Sequence, residues 1–169
     1  VDFSLPTFVT GGSVLSLKSA GIRSMSDLAG KKIGVAKDTT TVEELRNHLK
    51  ENLIDAEIVI VDSRDAGKRQ LDRGAIDALA SDQIVLIGQI IESMNPQSYA
   101  LNDEIFSFEP YGLVLRRNDA DFRLVANRAL SDVFRNEQIG ILYRKWFGVI
   151  GARPSGLQMA VFHLQALPE

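Results

Sequence analysis

The chain has no cysteine. Disulfides, thiolate metal sites and a cysteine nucleophile are therefore excluded. It has only two histidines, His48 and His163, too few for a histidine-rich metal site. No apolar run approaches the roughly 20 residues that a bilayer-spanning helix needs. Charge of one sign is also scarce. Nineteen Lys and Arg oppose twenty-two Asp and Glu, for a net charge of -3. A chain without a basic surplus is a poor general binder of nucleic acid.

What remains is an ordinary globular composition. Forty-five per cent of the 169 residues are hydrophobic and 24% are charged. Intrinsic disorder is excluded, and the length suffices for one sizeable domain or two small ones. The chain begins at Val1 rather than Met; the expectation is a processed or truncated chain.

Short apolar runs alternate with helical patterns over the first two thirds. Residues 1–17 read as extended chain leading into a strand, punctuated by Pro6 and Gly11-Gly12. Residues 24–30 read as a short helix closed by Gly30. Residues 32–37, KIGVAK, and 57–61, EIVIV, read as strands buried on both faces. Val42, Leu45, Leu49 and Leu53 recur at helical spacing behind Thr40 or Thr41 as N-cap, with Glu43 and Glu44 suiting the positive end of the helix dipole. A short helix over 66–73, a strand over 76–80 and a helix from Asp82 to Ile91, with Ile84, Ile87, Gly88 and Ile91 on one face, complete the series. The alternation predicts α/β units on a mainly parallel sheet.

After a strand over 111–116, the pattern becomes helical. Phe122, Val125, Ala126, Ala129, Leu130, Val133 and Phe134 follow a 3.6-residue period. A second helix carries Ile139, Leu142, Trp146 and Phe147, with the last two expected in the core. A third starts at Ser155 and carries Leu157, Val161 and Leu164.

Candidate chemistry lies where strands give way to helices, because ligands of open α/β sheets bind beyond the carboxyl ends of strands. Lys37-Asp38-Thr39-Thr40-Thr41 offers three hydroxyls and free helix-start N–H groups to an anion. Without glycine it is neither a P-loop nor a dinucleotide fingerprint. Helix capping alone also explains it. Asp82 can cap the following helix, hold an ammonium group, or do both, since a carboxylate has about four acceptor sites. Arg64 can grip an acidic group bidentately or stand as a solvated loop residue. His48 and His163 have no triad partners and read as surface or packing residues. Arg116-Arg117 reads as a solvated turn. Nothing calls for a cofactor or a metal.

The ordered segments VDFSLPTFVTGG, SMSDLAGKKIGVAKDTTT, LDRGAIDALASDQIVL, FEPYGLVLRRNDADF and ILYRKWFG resemble the family-3 periplasmic solute receptors that serve amino-acid ABC transporters, including the glutamate/aspartate and glutamine receptors. The resemblance covers the whole chain. It implies an α/β fold of the type II periplasmic binding protein kind, with two lobes and a hinge. Residues 12–108 would be the complete second lobe. Residues 1–11 and 109–169 would be hinge strands and the later part of a first lobe that is incomplete here. The absent portion carries, in the family, a Thr and an Arg that clamp the ligand's α-carboxylate.

The resemblance further implies that Thr39, Thr40 and Thr41 receive ligand oxygens, with Asp38 at the family's usual glycine position. Asp82 would pair with the α-ammonium, and Arg64 would contact the side chain of an acidic or polar amino acid. The implied partners are an amino acid and a membrane permease, in the periplasm, without catalysis. An incomplete first lobe would leave helical faces uncovered and favour a dimer or a segment swap. Two rivals share the fold: an enzyme like the periplasmic cyclohexadienyl or arogenate dehydratases, and the extracytoplasmic sensor domain of a signalling receptor.

Overall fold

The computed structural model describes residues 1–136, 138–148, 154 and 156–167. Ser155, the expected cap of the last helix, lies outside them. The chain divides into two compact units, residues 10–109 and residues 1–9 with 110–169.

The first unit is built on a five-stranded sheet. Its strands are β2 (Gly12–Leu17), β3 (Lys32–Ala36), β4 (Glu57–Val61), β5 (Ala78–Asp82) and β6 (Tyr99–Leu101), in spatial order β4-β3-β5-β2-β6. β3 runs parallel to β4 and β5, whereas β2 is antiparallel to β5 and β6. The sheet is thus mixed rather than mainly parallel, because β2 enters against the three strands that carry the α/β crossovers. Helices α1 (Thr41–Glu51), α2 (Arg64–Asp72) and α3 (Gln83–Ile91) connect and cover the strands.

Side chains alternate between the two faces along each strand, and they form two apolar layers. Val14, Ile33, Val35, Ala78 and Ala80 pack with Met25, Leu28, Leu45 and Leu49 of the α1 side. Leu15 and Leu79 pack with Leu71 of α2 and with Leu86 and Ile90 of α3.

Two expectations fail for reasons of position. EIVIV is not buried on both faces: β4 is an edge strand, and Ile60 is 52% exposed. The strand expected over 76–80 instead occupies Ala78–Asp82, since its ladder partners on β2 extend to Gly12 opposite Asp82. Two helical faces also differ. α1 ends at Glu51, so Leu53 falls beyond it and is exposed with φ +55°. α3 turns Leu86, Ile87 and Ile90 inward and leaves Ile91 partly exposed. The short helix near 24–30 is a 3-10 turn over Met25–Leu28. Ser24 and Asp27 close it as a capping box.

The second unit pairs β1 (Asp2–Thr10) with β7 (Glu109–Leu115) and adds α4 (Ala120–Arg135), α5 (Gln138–Phe147) and α6 (Gly156–Gln165). Phe134 of α4 stacks on Phe162 of α6 at 5.4 Å between ring centroids. Phe8, Tyr143 and Phe147 form a second aromatic group. Gln158 Nε2 donates to the Val9 carbonyl at 2.9 Å, so α6 turns Gln158, Phe162 and Gln165 inward. The expected face of Leu157 and Leu164 is instead exposed. Trp146 also departs from expectation. It is 64% exposed, with Lys145 5.5 Å from the centre of its ring. Arg116 lies in a solvated turn, 3.8 Å from Asp119.

Candidate functional site

Because β3, β4 and β5 are mutually parallel, their carboxyl ends share one edge of the first unit. The Thr39–Thr41 turn follows β3, Arg64 follows β4, and Asp82 closes β5. Val35 pairs with Ala80, so the chain leaving β3 starts next to the end of β5. Arg64 starts α2 beyond β4, which lies two strands from β5. The threonine turn and Asp82 thus follow the carboxyl ends of adjacent strands, and Arg64 follows that of the strand beyond.

Asp82 is buried and is bonded on two sides. Its Oδ1 accepts from the Ile84 backbone N–H at 3.0 Å, capping α3, and from Thr10 Oγ1 at 2.7 Å. The capping role read from the sequence is therefore real.

Two further carboxylates, Glu44 of α1 and Glu109 of β7, face the same region. Glu109 is held by Ser107, whose Oγ donates to it at 2.9 Å while accepting from the Gly12 N–H at 2.7 Å. Burial pushes the Glu109 carboxyl above its ordinary range. The Ser107 hydrogen bond opposes that shift, and the charges of Asp82 and Glu44 add to it. A region that already resists a third negative charge gains by admitting a cation.

The glycines beside this cluster are required by close approach. A Cβ on Gly11 would lie 2.0 Å from the Ser107 carbonyl oxygen, and one on Gly12 would lie 2.2 Å from the Phe106 ring. Sequence reading missed Thr10, Glu44, Ser107 and Glu109. The Gly11-Gly12 pair was the available signal, since a glycine inside a strand pattern marks a close backbone approach.

Around the threonine turn the charges are mixed, Lys37 and Arg46 standing with Asp38 and Glu43. Lys37, Asp38, Thr39, Thr40, Arg46 and Ile60 line an open groove of about 480 Å³. Asp38 sits at φ +58°, the left-handed conformation that its place in the turn requires. Thr39 Oγ1 donates to the Ala36 carbonyl at 2.8 Å, which leaves its lone pairs to accept. Thr40 occupies the N-cap position without a side-chain cap bond, and Thr41 is buried as the first residue of α1. Lys37 pairs with Asp62 at 3.0 Å. Arg64 is exposed behind Ser63, whose Oγ caps α2 by accepting from the Ala66 N–H at 3.1 Å. His48 lies 6.0 Å from the Phe106 ring, and His163 Nδ1 is 2.7 Å from the Met159 carbonyl oxygen. Neither belongs to the site. Among the described residues, no cluster of His, Asp or Glu has metal-binding geometry, and no helix is long and apolar enough to cross a membrane.

A family profile described as NMT1/THI5 like matches residues 10–112. The chain belongs to that family. It is 29% identical over 147 residues to an L-glutamate/L-aspartate-binding protein of Pseudomonas aeruginosa, covering 87% of this chain and 49% of that protein. It is 29% identical over 149 residues to an L-cystine-binding protein of Escherichia coli, covering 87% of this chain and 54% of the relative. A solved ABC-transporter periplasmic binding protein from Brucella ovis, with glutathione bound, superposes with a TM-score of 0.70 at 27% identity, over 82% of this chain and 44% of that one. The fold is that of type II periplasmic binding proteins. The chain spans about half the length of these curated relatives.

Proposed function

We propose that this sequence serves in an extracytoplasmic receptor that captures an amino acid between two lobes and delivers it to an ABC importer. Residues 10–109 would form the second lobe and the remainder part of the first. The observation that carries this reading is the charge arrangement at one sheet edge. A buried carboxylate, Asp82, stands among Glu44 and Glu109. The neighbouring threonine groove is lined by Lys37 and Arg46 together with Asp38 and Glu43. An amino acid carries an ammonium, which the carboxylates of the first region suit, and carboxylate oxygens, which the hydroxyls and helix-start N–H groups of the threonine turn suit.

Asp82 takes the ammonium in this reading, and the Thr39, Thr40 and Thr41 turn takes ligand oxygens. Arg64, together with Lys37 and Arg46, favours an acidic or polar side chain. The relatives' names, glutamate/aspartate-binding and cystine-binding, agree with that range. The action is closure around ligand, a shift of population toward the closed form. It involves no reaction, and the permease would read the closed form from the periplasmic side.

The test is calorimetry of a receptor in which a first-lobe portion precedes this sequence, titrated with glutamate, aspartate, glutamine, cystine and arginine. Tight one-to-one binding of an acidic or polar member is expected, and Arg64→Ala should narrow the margin over the others. Binding of none would defeat the proposal. Turnover of arogenate, with Glu109 acting as a general acid, would replace it with the dehydratase-like reading.

The second unit leaves Phe122, Leu124 and Val125 of α4 and Ile141 and Trp146 of α5 exposed. We assign this surface to the remainder of the first lobe, with a dimer or segment swap as its substitute in the isolated chain.

A further inference from the structure

Thr10 ends β1 and is buried, with 4% of its surface exposed. Its Oγ1 donates to Asp82 Oδ1 at 2.7 Å, a bond between two buried side chains. The same carboxylate oxygen accepts the Ile84 N–H at 3.0 Å. Donors from two different elements thus meet at one oxygen, one from α3 and one from the β1–β2 junction.

The next two residues extend the same frame. The Gly11 carbonyl accepts the Gln83 N–H at 2.9 Å. The Gly12 N–H donates to Ser107 Oγ, which in turn donates to Glu109. A hydrogen bond also joins the carboxyls of Asp82 and Glu109. Three consecutive residues, Thr10 to Gly12, therefore hold the start of α3 and both members of that carboxyl pair.

A helix start leaves several backbone N–H groups without intrahelical partners. An N-cap aspartate bonded to the helix alone is free to turn either oxygen, or both, toward them. A second donor that approaches the bonded oxygen from the strand side removes that freedom and fixes the carboxylate plane. The Thr10 hydroxyl is that donor, and its own burial fixes it in turn.

We propose that Thr10 is a positioning residue of the amino-acid site, its hydroxyl holding the Asp82 carboxylate in the orientation that receives the ligand's α-ammonium. The inference rests on the proposed receptor function and on Asp82 as the partner of the ammonium. Every α-amino acid carries that ammonium, so Thr10 sets the affinity and not the choice among side chains.

The test is calorimetry of the receptor in which a first-lobe portion precedes this sequence. The probes are L-glutamate, L-aspartate, L-glutamine, L-cystine and L-arginine. Loss of a hydrogen bond to a charged group should weaken every probe that binds by about tenfold or more in Thr10→Val. The factor should be common to them, so that their order is unchanged. Thr10→Ser keeps the hydroxyl and should restore most of the affinity. If Thr10→Val does not fold, Thr10→Ala replaces it, because it removes the hydroxyl without setting a methyl group against Asp82. A readout without ligand accompanies the titrations. The side-chain carboxyl ¹³C signal of Asp82 should move in the hydroxyl-free variant and stay in place in Thr10→Ser. Undiminished affinity without the hydroxyl, no recovery in Thr10→Ser, a changed order of preference or an unmoved ¹³C signal would each overturn the proposal and leave the receptor reading standing. Binding of none of the five by the parent receptor would remove the receptor reading itself. Full affinity in Asp82→Asn would remove Asp82 as the ammonium's partner, and either of these last two results would take the proposal with it.

Discussion

Glu109 shows how one residue can link the site to its solvent. Its carboxyl is raised above the ordinary value of 4.5, first by burial and then by the negative charges of Asp82 and Glu44, against the opposing Ser107 hydrogen bond. Between 4.5 and the raised value, the folded chain holds a proton that the unfolded chain has lost. The contribution of Glu109 to stability is therefore complete below 4.5 and is lost as pH rises through the folded value. A bound ammonium favours the ionised carboxylate. Amino-acid affinity should then rise with pH across the same window, with proton release on binding. Glu109→Gln should flatten that rise, as measured by calorimetry in buffers of different ionisation enthalpy; an unchanged slope would remove Glu109 from the account. Asp82 itself was legible as a residue with two compatible roles, because an aspartate between a strand and a helix is a cap by position. Glu44 and Glu109 were not legible, because they come from a helix and a later strand that only the folded sheet brings together.

At the scale of elements, the strands and helices were legible where the period was unambiguous. KIGVA is β3, nearly as expected, since it is central and covered on both faces. EIVIV is richer in β-branched residues but lies at the edge. Composition reports β propensity and not neighbours. α6 teaches the complementary lesson. Gln158 is drawn inward by the Val9 carbonyl, and a polar anchor of that kind rotates the buried face away from the leucines. The β1–β2 junction depends on glycine at one atom's distance. Gly11→Ala would set a Cβ against the Ser107 carbonyl oxygen at 2.0 Å, a backbone atom that cannot yield as a side chain can. The variant should be destabilised by about 1–3 kcal/mol, seen as an earlier urea midpoint by circular dichroism. It should also weaken ligand binding, since Ser107 holds Glu109. Leu45→Ala removes a fully buried side chain from the α1 layer and should cost about 2–5 kcal/mol without altering the ligand preference, a contrast that separates packing from site geometry.

For the whole molecule, the proposed function assigns the sheet edge around Asp82 to the ammonium of an amino acid, and the second unit exposes apolar helix faces. Taking a free amino acid out of water requires partners for both of its charges. On its own this chain should therefore bind amino acids poorly, whereas a receptor in which a first-lobe portion precedes it should bind well. The most direct test of the central claim is calorimetry of that receptor and its Asp82→Asn variant, titrated with the best amino acid found. Losing one partner of a desolvated charge pair costs roughly 2–5 kcal/mol. The account therefore predicts an affinity loss between about 30-fold and several thousand-fold, with helix content unchanged. Equal affinities in the two proteins would show that Asp82 only caps α3 and that the ammonium is held elsewhere.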